Sequence, residues 1–163
     1  MISAIVAVDA NWGIGFDGKL LERIPEDMKR FRELTENNAV IMGRKTWDSL
    51  PTKPLPKRNN IIISSADRII IDKNVLRLHM EDVFDYFDYT HDDIFIIGGG
   101  QIYEQLLPYC DTVYLTYIGK DHKNVDTYFP RIDKDPNWEI DTCTELREST
   151  IGIPYAFLTY KRV

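Results

Sequence analysis

Asp27 is the residue whose place in the sequence most clearly suggests acid–base chemistry. A helix is predicted to begin at Pro25, because a proline needs no N–H partner in a first turn. Asp27 and Phe31 are four residues apart and share a face of that helix, with Met28 beside them. Burying a carboxylate on an apolar face is costly and raises its pKa. Such an acid suits a pocket for a nitrogen heterocycle, where it accepts two N–H bonds and supports delivery of a proton.

Three further segments carry residue types that bind phosphate, and each follows a predicted strand. They are Gly43-Arg44-Lys45-Thr46, then Ser64-Ser65 with Arg68 close behind, and the turn Gly98-Gly99-Gly100. Open α/β sheets bind ligands at the carboxyl ends of parallel strands, so the three together predict an extended ligand with several phosphates, such as a dinucleotide. The glycine turn is not a G-x-G-x-x-G fingerprint, and Asn38 stands where a P-loop needs its first glycine.

The strands and helices that must position these residues alternate along the chain. Buried strands are predicted at 2–8, 39–42, 60–65 and 95–97, with another at 113–118 and short helices between several of them. Two long strands, at about 138–146 and 155–162, form an antiparallel pair. We therefore expect one α/β domain over residues 1–163, built on a mixed, mostly parallel sheet with an antiparallel C-terminal edge.

Composition limits the classes of partner. The 163 residues carry a net charge of −6 and a pI of about 5.1, which argues against nucleic acid or an anionic membrane. No apolar run reaches membrane-spanning length, and the apolar start lacks the basic region of a signal peptide. The sequence predicts no metal site, because it contains only two cysteines and because His91-Asp92-Asp93 is interpreted as a solvated turn. We expect a cytoplasmic monomer.

Eight segments resemble the dihydrofolate reductase family, in its order and spacing over nearly the whole chain. They are Ile2 to Val8, Gly13-Ile14-Gly15, Pro25-Glu26-Asp27, Ile41-Met42-Gly43-Arg44-Lys45-Thr46-Trp47, Leu55-Pro56-Lys57-Arg58-Asn59, Ser64-Ser65, Ile97-Gly98-Gly99-Gly100-Gln101-Ile102-Tyr103 and Asp126-Thr127-Tyr128-Phe129-Pro130. The resemblance implies NADPH-dependent reduction of 7,8-dihydrofolate to tetrahydrofolate. It also implies an eight-stranded, mostly parallel sheet flanked by about four helices.

The resemblance assigns Asp27 to the acid of the pterin pocket. There it would bind the 2-amino group and N3, and raise the proton affinity at N5 with water as the immediate donor, while hydride from the nicotinamide goes to C6. Thr116 matches the hydroxyl that backs the acid. Arg58 matches the arginine that grips the α-carboxylate of the glutamate tail, with Lys53 in the neighbouring loop. The apolar walls match Ile5, Met28, Phe31, Leu50 and Ile97.

The same resemblance implies a path for NADPH along the glycine-rich segments. Nicotinamide and its ribose would be bordered by Ala7, Ile14 and the loop from Gly15 to Lys19. The 2′-phosphate and adenosine end would be held by Arg44, Lys45, Thr46, Ser64 and Ser65. The pyrophosphate would be cradled by Gly98, Gly99, Gly100, Gln101, Ile102 and Tyr103, with a cis peptide between the first two glycines. Asp126 would steady the Gly15 to Leu20 loop.

Two places depart from the family pattern. Leu21 and Glu22 stand where the family has Pro-Trp, and that tryptophan helps to order a water near the pterin. Either Glu22 is exposed to solvent on a re-routed loop, or it places a second carboxylate at the rim of the pocket and alters the pH dependence. Gln101 stands where many bacterial relatives carry an arginine, so recognition of the 2′-phosphate depends on the other residues of its site.

Two alternative functions remain from the sequence. One is a related reductase of another pterin or of a pyrimidine, and the pair of Asp27 and Arg58 favours folate over it. The other is a non-catalytic relative that binds nucleotide. The substitution at Glu22 supports this hypothesis, and the presence of Asp27 counts against it.

Overall fold

The computed structural model describes residues 1–66 and 69–163, without the side chain of Ile69; Arg68, named above, lies outside the described residues. The elements, in chain order, are β1 (Ile2–Val8), β2 (Gly13–Phe16), β3 (Lys19–Leu20), α1 (Pro25–Thr35), β4 (Ala39–Gly43), α2 (Arg44–Ser49), β5 (Asn59–Ile63), β6 (Ile69–Asp72), β7 (Val75–Leu78), α3 (Val83–Tyr89), β8 (Ile94–Gly98), α4 (Gly100–Leu106), β9 (Thr112–Ile118), β10 (Thr127–Tyr128), β11 (Trp138–Cys143), β12 (Arg147–Glu148) and β13 (Pro154–Arg162). Short 3-10 helices cover Met80–Asp82, Leu107–Tyr109 and Ile132–Lys134.

A mixed sheet forms the centre of the molecule. Within the described residues its ten strands run in the order β11-β13-β9-β1-β8-β4-β5-β7-β6, with β12 paired to β13. The six strands from β9 to β7 are mutually parallel, whereas β13 is antiparallel to both β9 and β11, and β6 is antiparallel to β7. This confirms the expected fold class. The expected number of strands was eight, and the short edge strands β6 and β12 account for the difference.

The inner strands are buried because both faces of the sheet are covered. Alternate residues of a strand point to opposite faces, so β1 supplies Ala4, Val6 and Val8 to one apolar cluster and Ile5 to another. In β4, Ile41 belongs to the first cluster and Met42 to the second, and both are fully buried. Nearly continuous apolar runs are therefore required here, as expected for covered parallel strands.

The parallel arrangement brings the carboxyl ends of β1, β4, β5 and β8 to one edge of the sheet. A second, smaller sheet stands beside the end of β1. It consists of β2 and β3, which form a hairpin, and of β10, which pairs with β2. The candidate site residues follow these strand ends, so the fold places the sequence-predicted segments in one region.

Candidate active site

Asp27 lies in the first turn of α1 and is held by a residue of the central sheet. Thr116 of β9, itself buried, donates a 2.5 Å hydrogen bond from Oγ1 to Asp27 Oδ1. Burial raises the pKa of the Asp27 carboxyl, and the Thr116 hydrogen bond and the Arg30 cation only partly offset that rise. A carboxyl of this kind can hold a proton at a pH where an exposed aspartate does not.

Four of the five predicted pocket walls gather in one apolar cluster. Ile5 is buried in it, and Phe31, Leu50 and Ile97 pack against it from α1, the end of α2 and β8. Because these three are only partly buried, they leave an apolar surface beside the helix that carries the acid. Met28 does not join them: its side chain is 38% exposed, since it lies one position round the helix from Asp27. Its role as a wall stays a prediction.

Arg58 is fixed by the protein rather than free in solvent. Its side chain is 6% exposed, its Nε donates to Thr35 Oγ1 at 3.0 Å and its Nη1 donates to the carbonyl of Pro56 at 2.8 Å. The guanidinium also lies over the ring of Phe31, 5.7 Å from its centre. Lys53 is exposed and donates to the carbonyl of Asp48. A rigid guanidinium beside the apolar cluster fits the recognition of a carboxylate.

The glycine turn between β8 and α4 has the conformation that its sequence requires. The Gly98–Gly99 peptide is cis, as the family resemblance implies, and Gly98 has φ of +120°. A Cβ added at Gly100 would lie 2.6 Å from Thr127 Cγ2, so a larger residue there requires the Thr127 side chain to move. Tyr103 is buried, and its hydroxyl donates to the carbonyl of Ile5 at 2.7 Å. Within the segment predicted to bind the pyrophosphate, the side chain of Tyr103 therefore has a structural role.

The basic segment at the start of α2 lies next to this turn. A Cβ placed on Gly99 would be 3.5 Å from Thr46 Oγ1, which shows how close the two segments come. Arg44 and Lys45 are both exposed, and Arg44 is paired only loosely, at 3.7 Å, with Asp48. Two exposed cations and a hydroxyl thus border the glycine turn, where a phosphate would be favoured.

An open cleft of about 540 Å³ continues from the turn along the edge of the sheet. It collects four of the predicted cofactor residues: Ser64, Ser65, Gln101 and Ile102. It is also lined by residues that the sequence did not assign to it: Ile63, His79, Met80, Glu81 and Gln105. Gln105 follows Gln101 by one helical turn, and this spacing could have predicted that it lines the cleft. His79 and Glu81 come from a distant segment, and nothing in their spacing indicates the site.

The β2–β3 hairpin, which contains the predicted cofactor residues Ile14, Gly15 and Lys19, is bound to the segment before β10. Asp126 Oδ2 accepts a 2.9 Å bond from the N–H of Asp17, and the Asp126 N–H donates to the carbonyl of Gly15 at 3.1 Å. The N–H of Asp17 holds the pKa of Asp126 below its usual range. Ile14 is buried and Lys19 is exposed, while Ala7 near the end of β1 is partly buried. Asp126 thus anchors the hairpin as the resemblance implies.

Glu22 is partly buried and takes part in two side-chain contacts, and both expectations for it stay predictions. Its side chain is 18% exposed and its Oε1 accepts bonds from Lys120 Nζ at 2.8 Å and faces His122 Nε2 at 3.0 Å. The Lys120 hydrogen bond lowers the pKa of Glu22 and outweighs the opposing effect of burial, with His122 adding to it. No local pattern around residue 22 indicates these partners, because they lie about a hundred residues away in the chain.

The described part of the chain contains neither a metal-binding cluster nor a membrane-spanning helix. Among those residues, no group of three or more His, Cys, Asp or Glu side chains is placed to hold a metal ion. None of the helices described has the length and apolar character needed to cross a membrane.

Comparison with known proteins places this geometry in a family. The family model for dihydrofolate reductase matches residues 1–162. The dihydrofolate reductase of Bacillus subtilis is 35% identical and that of Neisseria meningitidis serogroup A 36%; each alignment covers 99% of this chain, and 95% and 98% of the respective relative. A bifunctional dihydrofolate reductase-thymidylate synthase of Daucus carota is 38% identical, and this chain spans only 33% of its length.

A solved structure agrees with these sequence matches. Dihydrofolate reductase from Enterococcus faecalis, complexed with NADP(H) and RAB-propyl, is 33% identical, with a TM-score of 0.86 over 99% of this chain and 96% of that one. The expected activity class, an NADPH-dependent oxidoreductase, is thereby confirmed at the level of the family. Matched along nearly its whole length by the family and by full-length bacterial relatives, this chain belongs to the dihydrofolate reductase family.

Proposed function

We propose that this protein reduces 7,8-dihydrofolate to tetrahydrofolate with NADPH, and that Asp27 is its catalytic acid. One observation carries the assignment of Asp27: a carboxyl whose pKa is raised by burial is fixed by Thr116 beside a partly exposed apolar cluster. The flat faces of a pterin ring pack on apolar side chains and its edge carries N–H groups, and this surface offers a complement to both. The family membership supports the reaction.

The residues present fit NADPH. The glycine turn itself carries no side chains, exposed cations flank it at the start of α2, and a cleft of about 540 Å³ continues from it. Gly98 to Gly100 would receive the pyrophosphate, and Arg44, Lys45, Thr46, Ser64, Ser65 and Gln101 the adenosine end with its 2′-phosphate. When bound, NADPH supplies the hydride that the reduction requires.

The chain's own residues orient the substrate and manage its proton. Asp27 accepts the N–H groups of the pterin edge and supports protonation at N5, while Thr116 holds the carboxyl in place. Ile5, Phe31, Leu50 and Ile97 exclude water from the ring. Arg58, already oriented by Thr35 and Pro56, pairs with the α-carboxylate of the glutamate tail, and Lys53 lies beside that position.

The setting of the reaction is part of the same proposal. The protein acts as a monomer in the cytoplasm, on small molecules rather than on nucleic acid. The net charge of −6 supports this, since an acidic surface repels phosphate backbones and keeps the protein dispersed.

An assay of NADPH oxidation with dihydrofolate tests the assignment of Asp27. We expect Asp27→Asn to lower kcat/KM by about a hundredfold or more near neutral pH, the usual contribution of a positioned acid. The matched control is Glu26→Gln, because Glu26 precedes the acid in the same turn and accepts two bonds from Thr150 at the surface. It should retain the wild-type rate.

Each alternative has its own outcome in this assay. If the wild type binds NADPH but leaves dihydrofolate unchanged, the assignment of substrate is wrong, and other pterins and a pyrimidine replace dihydrofolate in the same measurement. If the wild type is active and Asp27→Asn is equally active across the pH range, the acid is another group.

A further inference from the structure

His122 contacts two carboxylates that lie at opposite ends of one segment. Its Nδ1 is 3.1 Å from Asp9 Oδ2, and its Nε2 is 3.0 Å from Glu22 Oε1. Asp9 directly follows β1, and Glu22 lies between β3 and α1. A single imidazole therefore joins both ends of residues 9–22, the segment that contains the β2–β3 hairpin. Asp9, His122 and Glu22 are called here the carboxylate clasp.

The clasp is built into the protein and is connected to the backbone of the hairpin. The side chains of Asp9, His122 and Glu22 are 0%, 13% and 18% exposed. Asp9 Oδ1 accepts the backbone N–H groups of Asn11 at 2.9 Å and Gly13 at 2.8 Å, and so shapes the turn that leads into β2. A change in the position of Asp9 is thus passed directly to the strand that carries Ile14 and Gly15.

The geometry also defines the protonation state in which the clasp is complete. A neutral imidazole has one N–H and an ionised carboxylate has none, so both contacts are hydrogen bonds only when the ring is an imidazolium. Asp9 faces the ring from the end of β1 and Glu22 from the segment before α1. On its own segment the neighbouring charges are Lys120, which bonds Glu22, Asp121, which bonds Asn11, and Lys123.

We propose that His122 is a positioning residue for the reaction: its imidazolium fixes both ends of residues 9–22 and holds the β2–β3 hairpin beside the nicotinamide half of the cofactor. This rests on the proposed function, because that function places the nicotinamide at Ile14 and the loop that follows. The clasp itself is independent of it, and the two can be tested separately.

Backbone hydrogen exchange of the protein alone tests the clasp without any assay of activity. Peptides from residues 10–21 are compared with peptides from β4 at a mildly acidic pH and at a clearly alkaline pH, with correction for the intrinsic exchange rate. In the wild type, protection of residues 10–21 should fall at the higher pH. In His122→Ala it should be low at both, with exchange roughly tenfold faster, as expected when a hydrogen bond to a charged group is lost.

Two further variants make the test specific. Glu22→Gln should keep the segment protected at both pH values, because an amide can accept from a protonated ring or donate to a neutral one. Lys120→Met removes the exposed partner of Glu22 and leaves both contacts of the ring, so it should follow the wild type. If His122→Ala exchanges like the wild type, or if wild-type protection does not change with pH, the clasp does not hold the hairpin and the inference is wrong.

Steady-state kinetics then connect the clasp to the reaction. His122→Ala should raise the KM for NADPH by roughly tenfold, the same cost of a lost charged hydrogen bond, and change the KM for dihydrofolate by less than about twofold. A fall in kcat with both KM values unchanged would instead indicate a merely structural role and would overturn the proposal. If the wild type does not oxidise NADPH with dihydrofolate, the proposed function fails while the exchange measurement still decides the clasp.

Discussion

The charge environment of Asp27 is set by two neighbours that act in the same direction. Thr116 donates a hydrogen bond to the carboxylate, and Arg30 lies one helical turn further along α1. The guanidinium of Arg30 lies 4.3 Å from the ring centre of Phe157 and 5.7 Å from that of Tyr114. The two rings hold the cation in place, while burial lowers the pKa of Arg30 and Asp27 opposes that change. Arg30 therefore favours the ionised form of the acid.

Replacing Arg30 by Met should move the pH dependence of the reaction. Without the cation the pKa of Asp27 is raised further, so the acid keeps its proton to higher pH. The alkaline limb of the rate profile should shift to higher pH, while the low-pH plateau changes little. The control is Arg32→Met, the same replacement at an exposed position of α1. A profile for Arg30→Met that superimposes on the Arg32→Met profile would contradict this account of the electrostatics.

At the scale of elements, β1 contains a buried serine whose replacement tests the cost of burying a hydroxyl group. Ser3 is fully buried between Phe95 of β8 and Thr112 of β9, and its Oγ has no hydrogen-bond partner among the residues that the structure describes. Because an unpaired buried hydroxyl is destabilising, Ser3→Ala should keep or raise the free energy of unfolding, by up to about 1 kcal/mol. The midpoint of urea unfolding, at an unchanged m-value, measures this change in the free energy of unfolding.

Ser149 offers the matched control for that substitution. It is equally a buried serine, but its Oγ accepts the N–H of Ile153 at 2.9 Å. Ser149→Ala leaves that N–H without its acceptor and should lower the free energy of unfolding by about 1 kcal/mol. If both variants are destabilised to the same extent, the hydroxyl of Ser3 is satisfied in solution.

Elements with a strong local pattern were predictable from the sequence, and contacts between distant segments were not. The apolar runs of β1, β4 and β8 gave their strands directly, and Pro25 gave the first residue of α1. Residues 69–78 form two strands, β6 and β7, and the two-residue turn between them leaves little local signal in the sequence. For Glu22, only the fold brings Lys120 and His122 within reach, so no pattern around residue 22 could indicate them.

At the scale of the whole molecule, we expect a monomer of about 19.0 kDa in sedimentation experiments, independent of concentration. The net charge of −6 opposes self-association. The edge strand β6 presents a surface that favours pairing with a second copy, because Ile70 is 76% and Ile71 is 48% exposed on it. Should a dimer be found, Ile70→Lys tests whether it forms through that edge: dissociation by this variant would identify the interface.

The path of β13 through the sheet has a consequence for the nascent chain on the ribosome. This strand lies between β9 and β11, although it follows both in the sequence. Synthesis runs from the amino end, so the outer edge of β9 and all of β11 wait for a partner until residues 154–162 have emerged. Thr116, opposite Phe157 in that pairing, is on the waiting strand. A ribosome that stalls before residue 154 therefore displays an open sheet edge, the state in which a chaperone has most to bind.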